Sequence, residues 1–209
     1  MKRALVLAAA LAALPATARA APDGEIRAAF DRYRTAILRG DGIHAAAELD
    51  DNSVRYYDQL RSAALSAPDI HGLPLLDKLL VVRIRHELPP DLLSSMDGRA
   101  LLAYVIGKRW IDAAQVARGS LGKIAVRGAR ADAQVAVGGK PLPAALAFRR
   151  EKTGWRLDLT AQNEASGRAL EALRTRAKLS SDELVTKMVE EATGRPVPVA
   201  VWRPMAPAR

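Results

Sequence analysis

Cysteine is absent from the 209 residues of this chain. That excludes disulfides, thiol nucleophiles and cysteine-held metals, so stability must come from an apolar core. Histidine occurs only at His44, His71 and His86, each without a second histidine three or four residues away. His86 follows Arg83 and Arg85, whose charge would repel a bound cation. Neither a metal site nor a cofactor is expected. Aromatic residues make up 4% of the chain, which argues against a large stacking surface, and they do not interleave with basic residues as nucleic-acid binding would require. No serine stands in a G-x-S-x-G elbow. The glycine pair in "VGGK" at 137–140 lacks the spacing and the hydroxyl residue of a phosphate loop, and it joins two expected strands, so it reads as a hairpin turn.

Long apolar runs are also missing. A membrane span needs ~20 apolar residues, and the longest run, residues 4–14, is far shorter. Lys2 and Arg3 precede it, Pro15 breaks it and Ala18-Arg19-Ala20 closes it with small residues, which is the pattern of a secretory signal peptide cleaved after Ala20. The mature protein is expected in a periplasm or outside the cell. Removing Lys2, Arg3 and Arg19 lowers the formal charge from +9 to +6. This moderate excess, mixed with acidic residues, fits a solvated surface with a mild attraction for anionic partners.

Apolar spacing separates the chain into three parts. Ile26, Phe30, Tyr33 and Ile37 share one helical face, opened by Asp23 and closed by "GDG" at 40–42. Further helices are predicted over 43–50, from an N-cap at Ser53 to 67, over 75–88 and over 94–110, with "PPD" at 89–91 as a break. After Gly119 the period shifts towards 2. Strands are predicted at 122–128, 129–137, 143–151 and 155–160, alternating as an antiparallel sheet with one buried face. Helices return at 164–178 and 182–193, the second with a Ser180/Glu183 capping box and a stop at Gly194. The proline-broken tail that follows is expected to lie extended along a sheet edge or a helix groove. The fold class is therefore α+β: N-terminal helices on a curved, cone-like antiparallel sheet of about four strands, with a C-terminal helical extension. The division is signal peptide 1–20, helix-and-sheet domain 21–161, and extension with extended tail 162–209.

Carboxylates and tyrosines are the candidates for chemistry. Glu48, Asp50, Asp51 and Asp58 cluster around the second and third helices, and one facing an apolar cavity could act as a base. Asp50 or Asp51 also suits a helix start. Tyr33 and Tyr104 fall on apolar helical faces, Tyr57 shares a face with Val54, and Tyr56 points nearer to water. Buried hydroxyls seek partners, and several converging on a cavity would orient a polar ligand. In "GWRLDLT", Trp155, Leu157 and Leu159 alternate with Arg156, Asp158 and Thr160. Asp158 is thereby assigned to the wet face, paired with a cross-strand neighbour such as Arg149.

Phe148, Arg150, Gly154, Trp155, Arg156 and Leu157 stand in a late hairpin behind several helices. This arrangement, over residues 24–161, resembles secreted members of the nuclear transport factor 2-like, or ketosteroid isomerase-like, group. The resemblance implies a cone whose sheet and helices enclose a pocket. Members include isomerases, cyclases, dehydratases and non-enzymatic binding proteins. The helices over 53–111 and the segment after 162 extend beyond a minimal member, and no catalytic pair of the group can be placed on this chain. Three functions are expected in order: an exported, non-enzymatic envelope protein holding a small apolar ligand or a protein partner, with Tyr33, Tyr57, Tyr104 and Trp155 as lining; an isomerase or hydratase with Asp58 or His44 as general base; and a secreted immunity or inhibitor protein acting through its surface.

Overall fold

The computed structural model describes residues 22–111 and 113–205. The expected signal peptide and its cleavage point lie outside the described residues. The protein is α+β, with helices before and after an antiparallel sheet. Helix α1 (Pro22–Arg39) buries Ile26, Ala29, Phe30, Tyr33, Ala36 and Ile37 along one face. It begins one residue before Asp23, which sits in the acidic first turn rather than at a cap. Helix α2 (Gly42–Ala47) is capped by Asp41. Helix α3 (Asp51–Ser66) starts from Asp50, whose Oδ1 accepts from the Ser53 backbone N–H at 2.9 Å. The expected cap at Ser53 is thus corrected to Asp50, because the carboxylate accepts from the third amide of the helix, which is that of Ser53 itself. Helix α4 (Leu75–Glu87) is followed by α5 (Pro90–Ser94), so the "PPD" break opens a short helix with Pro90 in its first turn. Helices α6 (Gly98–Gly107) and α7 (Ala113–Arg118) complete the N-terminal set.

Two glycines let these helices touch. A Cβ on Gly42 would lie 1.8 Å from the Ala103 carbonyl oxygen, and one on Gly98 would lie 2.3 Å from that of Val54. Helices α2 and α6, and α3 and α6, therefore meet backbone to backbone at these points.

The sheet is a meander of β1 (Gly119–Arg127), β2 (Arg130–Val137), β3 (Lys140–Glu151) and β4 (Gly154–Asp158), in that spatial order. Gly138 and Gly139 both hold positive φ, 58° and 77°, which is the backbone of a two-residue hairpin turn matched to strand twist. The register shifts between Leu121 and Ile124 and again between Gln134 and Ala136, and such bulges bend a sheet. Ala131, Ala133, Phe148, Trp155 and Leu157 are buried on the helix-facing side. Small alanines there admit α1, which lies across β1 and β4. Beyond β4, Leu49 adds one parallel rung: the Leu157 N–H donates to the Glu48 carbonyl at 2.9 Å, and the Asp50 N–H to the Leu157 carbonyl at 3.0 Å. The edge of β4 is covered there rather than left open.

A 3-10 turn (Leu159–Gln162) leads to α8 (Asn163–Ala177) and α9 (Ser181–Thr193). The Ser180/Glu183 capping box forms as expected, and Gly194 ends α9 at φ 66°. Helix α9 buries Leu184, Val185 and Val189 beside α4, whereas α8 buries no residue. Buried Lys78 on α4 reaches across to Asp182 at 2.7 Å and to the Ser181 hydroxyl at 2.8 Å. The tail coils into a 3-10 turn (Val199–Trp202) seated by α4, with Val201 buried and Trp202 stacked on His71 at 5.1 Å. Arg85 on α4, also buried, fixes it there. Its guanidinium donates to the carbonyls of Ala63, Ala64 and Ala67 at the end of α3, and to that of Val201.

Candidate functional site

A cavity of about 270 Å³ lies between α1, α7 and the sheet. Phe30 and Tyr33 reach it from α1, Val116 from α7, Val135, Val137, Leu142 and Leu146 from β2 and β3, and Leu157 and Leu159 from the end of β4. The period-2 pattern of β2 and the 3.6-residue pattern of α1 aim these apolar side chains at one another. Leu142, 40% exposed, shows that the cavity wall reaches solvent. Two residues of the wall carry polar ends. Gln162 donates its amide to the Ala145 carbonyl at 3.1 Å, which leaves its oxygen as an acceptor. Tyr33 is only 5% exposed, and its hydroxyl makes no hydrogen bond among the described residues. Burial raises the Tyr33 pKa well above the ordinary phenol value, with nearby Tyr57 adding to it, so the hydroxyl stays a neutral donor.

The four residues expected to line one pocket are spread over the molecule. Tyr33 alone lines this cavity. Tyr57 packs edge-on against Tyr56 at 5.7 Å within α3, and burial pushes its pKa up to about 12. Tyr104, on α6, lies beneath the Lys108 ammonium at 5.5 Å. Trp155 is 2% exposed on β4 and borders a separate groove of about 460 Å³, between the start of α1 and the β3–β4 hairpin. Its indole N–H has no partner among the described residues. Tyr56 is not turned to water: its hydroxyl donates to Asp77 on α4 at 2.5 Å. Asp58 pairs with Arg61 at 2.9 Å, and exposed His44 pairs with Asp41 at 2.6 Å; neither borders the apolar cavity.

A buried polar cluster sits behind β4. Asp158, assigned to the wet face by alternation, is 3% exposed, because the turn after β4 and the start of α3 close over it. It does pair with Arg149, at 2.7 Å, and it also accepts from the Thr160 N–H and hydroxyl. Burial alone would raise its pKa, but the Thr160 and Arg149 hydrogen bonds outweigh burial and hold the carboxyl below its usual range. Asp50, wholly buried, lies 3.2 Å from the same Arg149. For Asp50 burial wins, helped by the like charge of Asp158, and its pKa is raised despite the Ser53 hydrogen bonds. The Ser53 hydroxyl donates to Asp50 and accepts from the Leu159 N–H at 2.9 Å, tying α3 to the end of β4. The cluster braces α3 against β4, although Asp50 Oδ2 accepts no hydrogen bond among the described residues and faces Arg149 only as an ion pair.

No family model, curated protein or solved structure matches this chain. Sequence reasoning missed Val116, Leu142 and Leu146 as cavity lining, since aliphatic residues on a buried face carry no mark that separates a wall from a filled core. It also missed Asp50 as the partner of Asp158. The two are over a hundred positions apart, and the Leu49 rung and the Ser53–Leu159 hydrogen bond beside β4 bring them together.

Proposed function

We propose that the protein is an exported, non-enzymatic binding protein of the cell envelope that holds a small, largely apolar ligand between α1 and the concave face of its sheet. The observation that carries this is a largely apolar wall in which Tyr33 and Gln162 supply the polar ends among the described residues. A polar group in such a place seeks an acceptor, so the ligand presents a carbonyl or ether oxygen to Tyr33. The size follows from the volume. An engineered cavity of ~150 Å³ takes benzene, so about 270 Å³ suits a ring with a short substituent or a short acyl chain. Binding is favoured over catalysis because no carboxylate or histidine borders the cavity among the described residues. The siting between helix and curved sheet is also what the resemblance to the nuclear transport factor 2-like group implies.

Methyl NMR tests the reading. Acetophenone, titrated into the mature protein, is expected to give saturable shifts at Val135, Val137, Leu146 and Leu157. Leu146→Trp fills the space and removes them. Tyr33→Phe weakens acetophenone by about tenfold and leaves ethylbenzene unchanged. Shifts that do not saturate, or that survive Leu146→Trp, would remove the ligand-binding reading. Export has its own check: intact mass of the envelope-fraction protein should place the mature N-terminus at Ala21.

A further inference from the structure

The outer face of the sheet carries a row of arginines that apolar packing does not require. In the strand register Arg127 stands opposite Arg130, Arg130 opposite Arg149, and Arg149 opposite Arg156. One guanidinium from each strand therefore crosses the whole sheet. Directly opposed cross-strand residues share a face with Cβ atoms ~5 Å apart, and like charges in that relation destabilise. Three of the four are offset. Asp132 lies 3.7 Å from Arg127, Asp158 and Asp50 lie 2.7 and 3.2 Å from Arg149, and Glu48 lies 3.6 Å from Arg156. Arg130, flanked on both sides by arginine, has no carboxylate and no hydrogen-bond acceptor among the described residues.

Beside it a groove of about 420 Å³ runs over Arg127, Arg130 and Arg149, with Asp132, Asp158 and Thr160 on its floor and wall. Three guanidinium charges face two carboxylates there. The Asp158 charge is already taken by Arg149 and Thr160. Asp132 holds Arg127 only at long range, with both side chains more than half exposed, so that pair exchanges readily for a better acceptor. The groove is thus bordered by one unpaired and one loosely paired arginine.

We propose that this groove is a binding site for a phosphate monoester, received by Arg130 and Arg127 and backed by Arg149. Guanidinium forks match phosphate oxygens two at a time. A monoester carries a charge of about −1.5 to −2 at neutral pH, enough for two guanidinium groups, whereas a single carboxylate offsets one. The groove exceeds the size of phosphate alone and leaves room for the esterified group, whether that is a small molecule or a lipid headgroup.

The test uses the whole mature protein with phenyl phosphate, benzoate and benzyl alcohol, followed by calorimetry and NMR. Saturable binding of phenyl phosphate, stronger than that of benzoate and weakening with added salt, is expected. Arg130→Gln should reduce its affinity at least about tenfold, and Arg127→Gln should reduce it further. Lys187→Gln, on α9 and outside the groove, should leave it unchanged. Arg130→Gln should unfold no more easily than the parent, since it removes a like-charge contact. Sedimentation with phosphatidylcholine vesicles, with and without phosphatidic acid, separates the sources: Arg130-dependent pelleting with phosphatidic acid identifies a headgroup, and its absence beside binding in solution identifies a free ester. The proposal is overturned if phenyl phosphate does not saturate and no vesicle pellets the protein. It is equally overturned if Arg130→Gln binds as well as the parent.

Discussion

Asp50 and Asp158 share Arg149 yet answer pH in opposite directions. Asp158 is held below the ~3.9 of an unfolded aspartate, so it adds stability at neutral pH that is lost as pH falls through the depressed value. Asp50 is held above that reference, so its ionised form opposes folding at neutral pH, and the penalty is relieved as pH drops. Asp158→Asn is therefore expected to destabilise at pH 7 by about 1–3 kcal/mol, discounted because Arg149 is partly exposed. It should also flatten the fall in urea midpoint below about pH 5. Asp50→Asn keeps a capping side chain and removes an unfavourable charge, so it should change stability by less than about 1 kcal/mol, whereas Asp50→Ala loses the cap and should cost about 1–2 kcal/mol. Urea titrations of the three variants from pH 7 to pH 3 would decide. Equal losses for Asp50→Asn and Asp158→Asn would contradict this division of roles.

Helix contacts here depend on atoms that are missing and on one arginine. Gly42→Ala places a methyl group against the Ala103 carbonyl and must push α2 from α6, with an expected loss of about 1–3 kcal/mol in thermal unfolding. Gly24→Ala, with open space around it, should be neutral or slightly stabilising. Arg85→Leu removes the guanidinium donor from the last carbonyls of α3 and from that of Val201. A loss of about 2–4 kcal/mol is expected, with protease cutting first between 195 and 205. The sequence made the existence of these elements legible, because α1, α9 and the hairpins carry clean periods and local caps. It concealed what depends on distant pairing. Asp158 obeys the alternation of β4 yet is buried, since burial there is decided by α3 and the turn above it. The tail is coiled on α4 because Arg85 and His71 hold it, and neither contact leaves a trace in the spacing of 195–205. Tyr33 was identifiable from its apolar face, but no local pattern says that its hydroxyl lacks a partner.

The hydrophobic cluster is continuous from α1 through the sheet to α9 and Val201, so the described residues should unfold together. With no disulfide, a reducing agent should leave the melting curve unchanged. A separate early transition confined to α9 and the tail would refute that unity. The two proposed sites lie on opposite faces of one sheet, the apolar cavity inside and the arginine row outside, so each can be lost without the other. The hold of Arg85 on Val201 spans 116 positions and closes only when the turn around Val201 is in place. Contacts so distant in sequence form late, because their loop entropy must be met first. Until Val201 reaches α4, Arg85 can serve only the nearby carbonyls of Ala63, Ala64 and Ala67, so the end of α3 is held first and the turn around Val201 is seated afterwards. One arginine thereby joins an early local contact to a late distant one, and the separation of Arg85 from Val201 sets the order.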